Sequence, residues 1–255
     1  MSARVYKNLQ SNLLLQFDDA KLILNSRQQL YANRWIHTAP LSFANLTMDS
    51  STFQMVLKLS LNMKLYKKTV KCDCGQPSDI YGKHATICST GGKPHKRHAA
   101  VQRTLKNLAE EAGFFVTQES KNDEIDSPSR PGDVVIHDFS AGKDQYIDIT
   151  VVNPRSYPVY SAEFPGYALI KATKDKHTKY DNQFADSTRK RFSAFALETT
   201  GGFHEECIPI LRKIAKKLSE MKNVPFAEQM KRITTKISFE SLRVTGQALL
   251  QRQNI

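Results

Sequence analysis

The sequence predicts an α/β protein in which a mixed sheet is flanked by helices, with an N-terminal helical region and a metal-binding knuckle ahead of it. Three observations carry this reading. Three of the four cysteines fall within residues 72–88, CDCGQPSDIYGKHATIC, and His84 stands between the second and third. After Gly113 the apolar period changes from the helical 3.6 to the strand value of 2. Lysine and arginine exceed aspartate and glutamate by 37 to 25, a net charge of +12, which favours a polyanionic partner.

At 255 residues the chain is long enough for one sizeable core with additions, and for an enzyme. No apolar run approaches the ~18 residues of a membrane span, so no membrane partner is expected. MSARVYKNLQ has neither the apolar core nor the cleavage site of a secretory signal. The expected location is intracellular, nucleus or cytoplasm, and not secreted. Clustered thiols in a reducing compartment are metal ligands more often than disulfides, and Cys207 has no evident mate.

Residues 5–33 and 51–64 read as helices, with Leu9, Leu13, Phe17, Leu22 and Leu24 on a loosely helical period, polar TMDSS between the two segments and WIHTAPLSF as connector. Beyond the cysteines, GGKPHKR reads as a basic hinge. Val101, Leu105, Leu108 and Ala112 then mark a helix over 98–112 that Gly113 stops. FFVTQE, DVVIHDF and QYIDITVV alternate as strands, joined by the loop NDEIDSPSRPG and the turn SAGK. A helix over 163–182, the strand FSAFALET and two helical stretches, HEECIPILRKIAKKLSEM and VPFAEQMKRITTKISFESLRVTGQALLQR, complete the chain. These elements divide into a helical region (1–66), a knuckle (67–97), a core (98–222) and a helical extension (223–255).

Cys72, Cys74, His84 and Cys88 give C-x-C-x9-H-x3-C, three thiolates and an imidazole, the tetrahedral complement of a structural Zn2+. One residue between the first two cysteines is fewer than the usual two to four. His95 and His98 lie near enough in sequence to stand in for His84. Four protein ligands leave no open position, so this metal is expected to hold structure and do no chemistry.

In YIDITVV the alternation sets Ile147, Ile149 and Val151 on one face and Asp148, Thr150 and Val152 on the other. Antiparallel pairing through SAGK would bring Asp133, at the head of the preceding strand, beside Asp148. Two converging carboxylates repel unless a cation separates them, and such hard oxygen donors suit Mg2+ or Mn2+. Glu119, at the end of FFVTQE, is a candidate third donor.

Asp133, then fourteen residues, then Asp148-x-Thr150, after a helix and a strand, resembles the PD-(D/E)XK nuclease core. Thr150 departs from that pattern, because the family's lysine belongs at its position; some members supply it from the next helix. On the helix at 163–182, Leu169, Ala172, Lys176, Tyr180 and Phe184 share one stripe, and a lysine on an inward stripe needs a partner. Lys176 is therefore the candidate for the displaced lysine, with Lys179 next and Lys171 and Lys174 further off the stripe.

A wider resemblance runs through WIHTAPLSF, FQMVLKLSLNM, CDCG…HATICSTGG…RH, RPGDVVI, YIDITVVNP, KHTKY, FSAFALETTGGF and ISFESLRVTG. In this order they are similar to the C-terminal part of reverse-transcriptase proteins of non-LTR retroelements, where a zinc knuckle precedes a restriction-like endonuclease. That resemblance implies hydrolysis of DNA phosphodiester bonds. Asp133, Asp148, Glu119 and the Ile149 carbonyl would hold Mg2+ or Mn2+, and Lys176 or Lys179 would meet the phosphate. Backbone contacts are expected from Lys93, Lys96, Arg97, His98, Lys171, Lys174, Lys179, Tyr180, Arg189, Lys190 and Arg191 on double-stranded or branched DNA, with a homodimer open. A junction resolvase on the same core, or a zinc-containing nucleic-acid-binding protein without activity, are the alternatives that Thr150 keeps open.

Overall fold

The computed structural model describes residues 18–37, 46–118 and 132–252. Glu119, Leu9, Leu13 and Phe17 lie outside the described residues. The protein is mixed α/β. Its four-stranded sheet comprises β3 (Val116–Gln118), β4 (Val134–Ser140), β5 (Lys143–Val152) and β6 (Lys190–Glu198), in that spatial order. The first three run antiparallel, and β6 runs parallel to β5. A two-stranded ribbon, β1 (Val70–Lys71) with β2 (Pro77–Ser78), belongs to the cysteine-rich segment.

The turn between β4 and β5 explains their register. Ala141 and Gly142 both take positive φ, 51° and 73°, the two-residue geometry whose twist matches paired strands. The ladder then sets Val134 opposite Ile147, which carries Asp133 to the level of Asp148. A register irregularity between Ile136 and Ser140 accommodates Asp138, itself at a φ of 47°.

One sheet face, with Val134, Ile136, Ile147, Ile149, Phe195 and Leu197, is sealed by three helices: α4 (Lys93–Glu111), α7 (Cys207–Lys222) and α8 (Phe226–Leu250). Val101, Leu105 and Leu108 of α4 meet Ile210, Leu211 and Ile214 of α7 and Ile233 and Ile237 of α8 in that core. Met230, Ile233 and Ile237 of α8 thus belong to the core of the sheet. The opposite face carries α6 (Tyr167–Tyr180), where Tyr180 packs on Phe192 and Phe184 on Tyr146.

Several helix bounds differ from the periodicity reading for local reasons. The first described helix, α1 (Asp18–Arg27), ends well before residue 33, and Tyr31 beyond it takes a φ of 64°. α2 (Ser50–Ser60) starts where Asp49 Oδ1 accepts from the Thr52 N–H at 2.8 Å, and it stops at Leu61. GGKPHKR is not a hinge: Gly92 caps α4 in the left-handed region and Pro94 lies in its first turn, where its missing N–H costs nothing. The stretch 163–182 is broken by Gly166 at a φ of 80°, which separates α5 (Pro158–Glu163) from α6. The short α3 (Lys83–Ile87) carries His84.

Candidate functional site

Three elements converge at one end of the sheet. Asp133 precedes β4, and its N–H donates to the Ile147 carbonyl at 2.8 Å. Its Oδ2 accepts from the Ile149 N–H at 2.7 Å and lies 2.9 Å from His98 Nε2 on α4. Gln102, one turn further along α4, donates to the Asp133 carbonyl at 2.8 Å. Asp148 sits on the α6 side of β5, 5 % exposed, with Lys176 Nζ 2.5 Å from its Oδ2. The two acids and two bases thus form a quartet in which Asp148 is buried and Asp133, His98 and Lys176 are partly exposed.

The electrostatics follow from burial and proximity. Desolvation lifts the Asp148 carboxyl above the ordinary carboxylate range. Lys176 opposes that rise, Asp133 adds to it, and hydrogen bonding from Tyr180 pulls against it. The hydrogen bond to Asp133 raises His98 above the usual imidazole value despite its partial burial. Each carboxylate faces one base, His98 at Asp133 and Lys176 at Asp148.

Of the two candidate lysines, Lys176 reaches the carboxylate. Lys179 lies exposed with its ammonium 4.6 Å from the Tyr180 ring centroid. Tyr180 itself is buried at 3 % exposure. Ile149 joins the site through its N–H. Thr150 follows Asp148 by two residues on the same strand face and lines a cleft below it.

Residues 72–88 make a second site. One ligand atom from each of Cys72, Cys74, His84 and Cys88 lies within 4.8 Å of every other. Cys72 and Cys88 sulfurs are 3.5 Å apart, close to the ~3.8 Å edge of a tetrahedron with metal–sulfur bonds of ~2.3 Å. Cys74 Sγ lies 3.0 Å from His84 Nε2. This donor set fits Zn2+. His98 is committed to Asp133 and His95 is exposed, so the imidazole of the cluster is His84.

No family model matches this chain, and no curated protein matches it.

Among the basic residues, Lys96, Lys174, Arg189, Lys190 and Arg191 are exposed and free of carboxylate partners among the described residues. Lys171 pairs with Asp175. Lys93 is 6 % exposed and its Nζ sits 2.7 Å from Asp73 Oδ2, joining α4 to the knuckle. Arg97 is buried as well. Sequence reasoning missed Gln102 and the part of His98 as partner to Asp133. Their i, i+4 spacing on α4 was visible, but their shared target is 31 and 35 residues away. No described helix is long and apolar enough to cross a membrane.

Proposed function

We propose that this protein is a metal-dependent DNA endonuclease of the PD-(D/E)XK kind, with a structural zinc knuckle, as the resemblance to retroelement endonuclease segments implies. The observation that carries the proposal is the Lys176–Asp148 contact at 2.5 Å, which brings a lysine from the following helix to the strand where Thr150 occupies the family's lysine position.

Each residue has a physical task. Asp133 is fixed by the Ile149 N–H and His98, so its carboxylate keeps one orientation. Asp148 is buried and supplies the second oxygen donor. A divalent cation held by this pair would polarise the scissile phosphate and acidify the attacking water. Lys176 favours the ionised form of Asp148 against desolvation, and would meet the negative charge that grows on the phosphoryl oxygens. Exposed Lys96, Lys174, Lys179, Arg189, Lys190 and Arg191 supply sequence-independent backbone contacts.

Thr150 also favours a second reading, a nucleic-acid-binding protein that does not cut. One assay separates them: supercoiled, linear, single-stranded and branched DNA incubated with Mg2+, Mn2+ or EDTA. Metal-dependent cutting is expected of the wild type, loss of cutting by ~100-fold or more in Lys176→Ala and Asp148→Asn, and a mild effect in Lys171→Ala. Preference for branched substrates would assign a resolvase. Cutting by Asp148→Asn at the wild-type rate would sink the nuclease proposal.

A further inference from the structure

Beside the Asp148–Lys176 pair lies a cleft of about 340 Å3 between the start of α4, the end of β5 and α6. Arg97, Thr150, Ser156, Tyr157, Asp175 and Lys176 are among its lining residues. Its donors outnumber its acids. The one carboxylate, Asp175, is engaged by Lys171 on the same helix.

Arg97 is the anomaly of this cleft. It is 5 % exposed, its Nε has no hydrogen-bond partner, and its guanidinium forms no ion pair among the described residues. A buried cation without a partner is strongly unfavourable, and such groups occur where something else supplies the counter-charge. Burial, and the charge of Arg252 nearby, push Arg97 down to about 10. Arg252 is itself fully buried, near Cys72 and Asp73 on the knuckle side. Arg97 faces the cleft.

The helix adds to the imbalance. Lys93, His95, Lys96, Arg97 and His98 crowd the first two turns of α4, where no acidic residue stands in the first turn and no side chain caps the end. The positive end of a helix macrodipole disfavours cations and attracts anions. Of these, Lys93 faces Asp73 and His98 faces Asp133, which leaves exposed Lys96 and cleft-lining Arg97 to meet a polyanion.

We propose that Arg97, with Lys176 and the Thr150 hydroxyl, forms a phosphate pocket that takes a nucleic-acid backbone phosphate adjacent to the one at Asp148. A guanidinium offers paired donors to phosphate oxygens, and a threonine hydroxyl in place of a lysine lets a phosphate approach the strand without a second ammonium in the way. The proposal rests on the nucleic-acid reading above, and it assigns Thr150 a binding task instead of a catalytic vacancy.

The test uses the full chain in two readouts. Thermal unfolding is followed in inorganic phosphate against chloride at equal ionic strength, and affinity for a short duplex DNA is measured across salt concentrations without divalent metal. Phosphate should raise the wild-type midpoint saturably, because it binds the folded state alone. Arg97→Met should lose that shift while being no less stable than wild type in chloride, and its slope of log affinity against log salt should fall by about one phosphate contact, ~0.9. Duplex DNA should compete with phosphate.

Absence of a phosphate shift in the wild type overturns the pocket, as does a shift that survives in Arg97→Met. A shift lost with Arg97 but a salt slope unchanged overturns the backbone assignment, leaving a free-phosphate site. If Arg97→Met does not fold, Arg97→Lys decides: phosphate affinity weakened tenfold or more supports the pocket, and unchanged affinity refutes it. Asp148→Asn should retain the phosphate shift while losing cleavage, so the pocket and the nuclease reading fail separately.

Discussion

Replacing Glu198 by glutamine should stabilise the protein at neutral pH, though the change removes a charge from a well-packed site. Glu198 ends β6 at 1 % exposure. Ser26 of α1 and Thr200 both donate hydroxyls to its Oε2, the latter at 3.0 Å, and no basic side chain compensates it among the described residues. Desolvation therefore pushes its carboxyl up to about 7, against hydroxyl bonds that pull the other way, from an ordinary value of 4.5. The unfolded chain loses this proton near pH 4.5 and the folded chain keeps it until about 7. Between those limits the folded state binds more protons, so stability from this group falls as pH rises and is lowest above 7. At ~1.4 kcal/mol per unit, the gap amounts to roughly 3 kcal/mol. Glutamine keeps an acceptor for both hydroxyls and cannot ionise. Urea unfolding of wild type and Glu198→Gln at pH 5, 6, 7 and 8 isolates the effect, since every other titration cancels in the difference. The variant's advantage should grow by roughly 1 kcal/mol per pH unit up to pH 7 and then level off. A difference that is flat with pH would mean that Glu198 titrates normally and the argument from its burial is wrong.

Three further outcomes follow from other parts of the molecule. One zinc per chain is expected by elemental analysis, with Cys72→Ser or Cys88→Ser lowering the thermal midpoint and solubility, because coordination contributes to folding; a folded, unchelated protein free of zinc would refute the site. Gly246→Ala should destabilise the fold by about 1 kcal/mol or more even though alanine favours helix, since the added methyl would sit 2.7 Å from Val56 Cγ2 and 2.9 Å from Thr52 Cγ2; equal stability by denaturant titration would show that α2 yields freely. His177 lies between Asp181, at 2.7 Å, and Glu206, at 2.9 Å. Desolvation would lower it, but the two carboxylates together raise it, so its contribution is full below the ordinary imidazole value and fades as pH rises through the raised one. The stability gap between wild type and His177→Ala should therefore be wider at pH 5.5 than at pH 8.5.

The local grammar of this chain was legible without a structure. The change of apolar period at Gly113 marked where helix yields to sheet, and the alternation in YIDITVV assigned Asp148 and Ile149 to opposite faces, because side-chain direction along a strand depends only on parity. The cysteine spacing located the knuckle, since a short loop can bring its own residues around an ion. A helical stripe placed Lys176 among inward residues for the same reason. Local chemistry also misled: GGKPHKR looked like a hinge, but a proline in the first turn and a left-handed glycine before it start a helix as readily as they interrupt one.

What the tertiary structure decided were the partners across long separations. His98 and Gln102 reach Asp133 because α4 lies against the sheet end. Lys93 is buried against Asp73, 20 residues earlier in the chain. Glu198 is sealed beneath Ser26, 172 residues earlier in the chain. Arg97 came to line a cleft with no ion-pair partner among the described residues. Sequence fixes which side of its own element a residue occupies, because that is set by backbone geometry of a few residues. Whether that side meets a carboxylate, a hydroxyl or an empty cleft depends on which element folds over it, and burial, which shifts the ionisation of Asp148, Glu198 and Arg97, exists only once that element is in place.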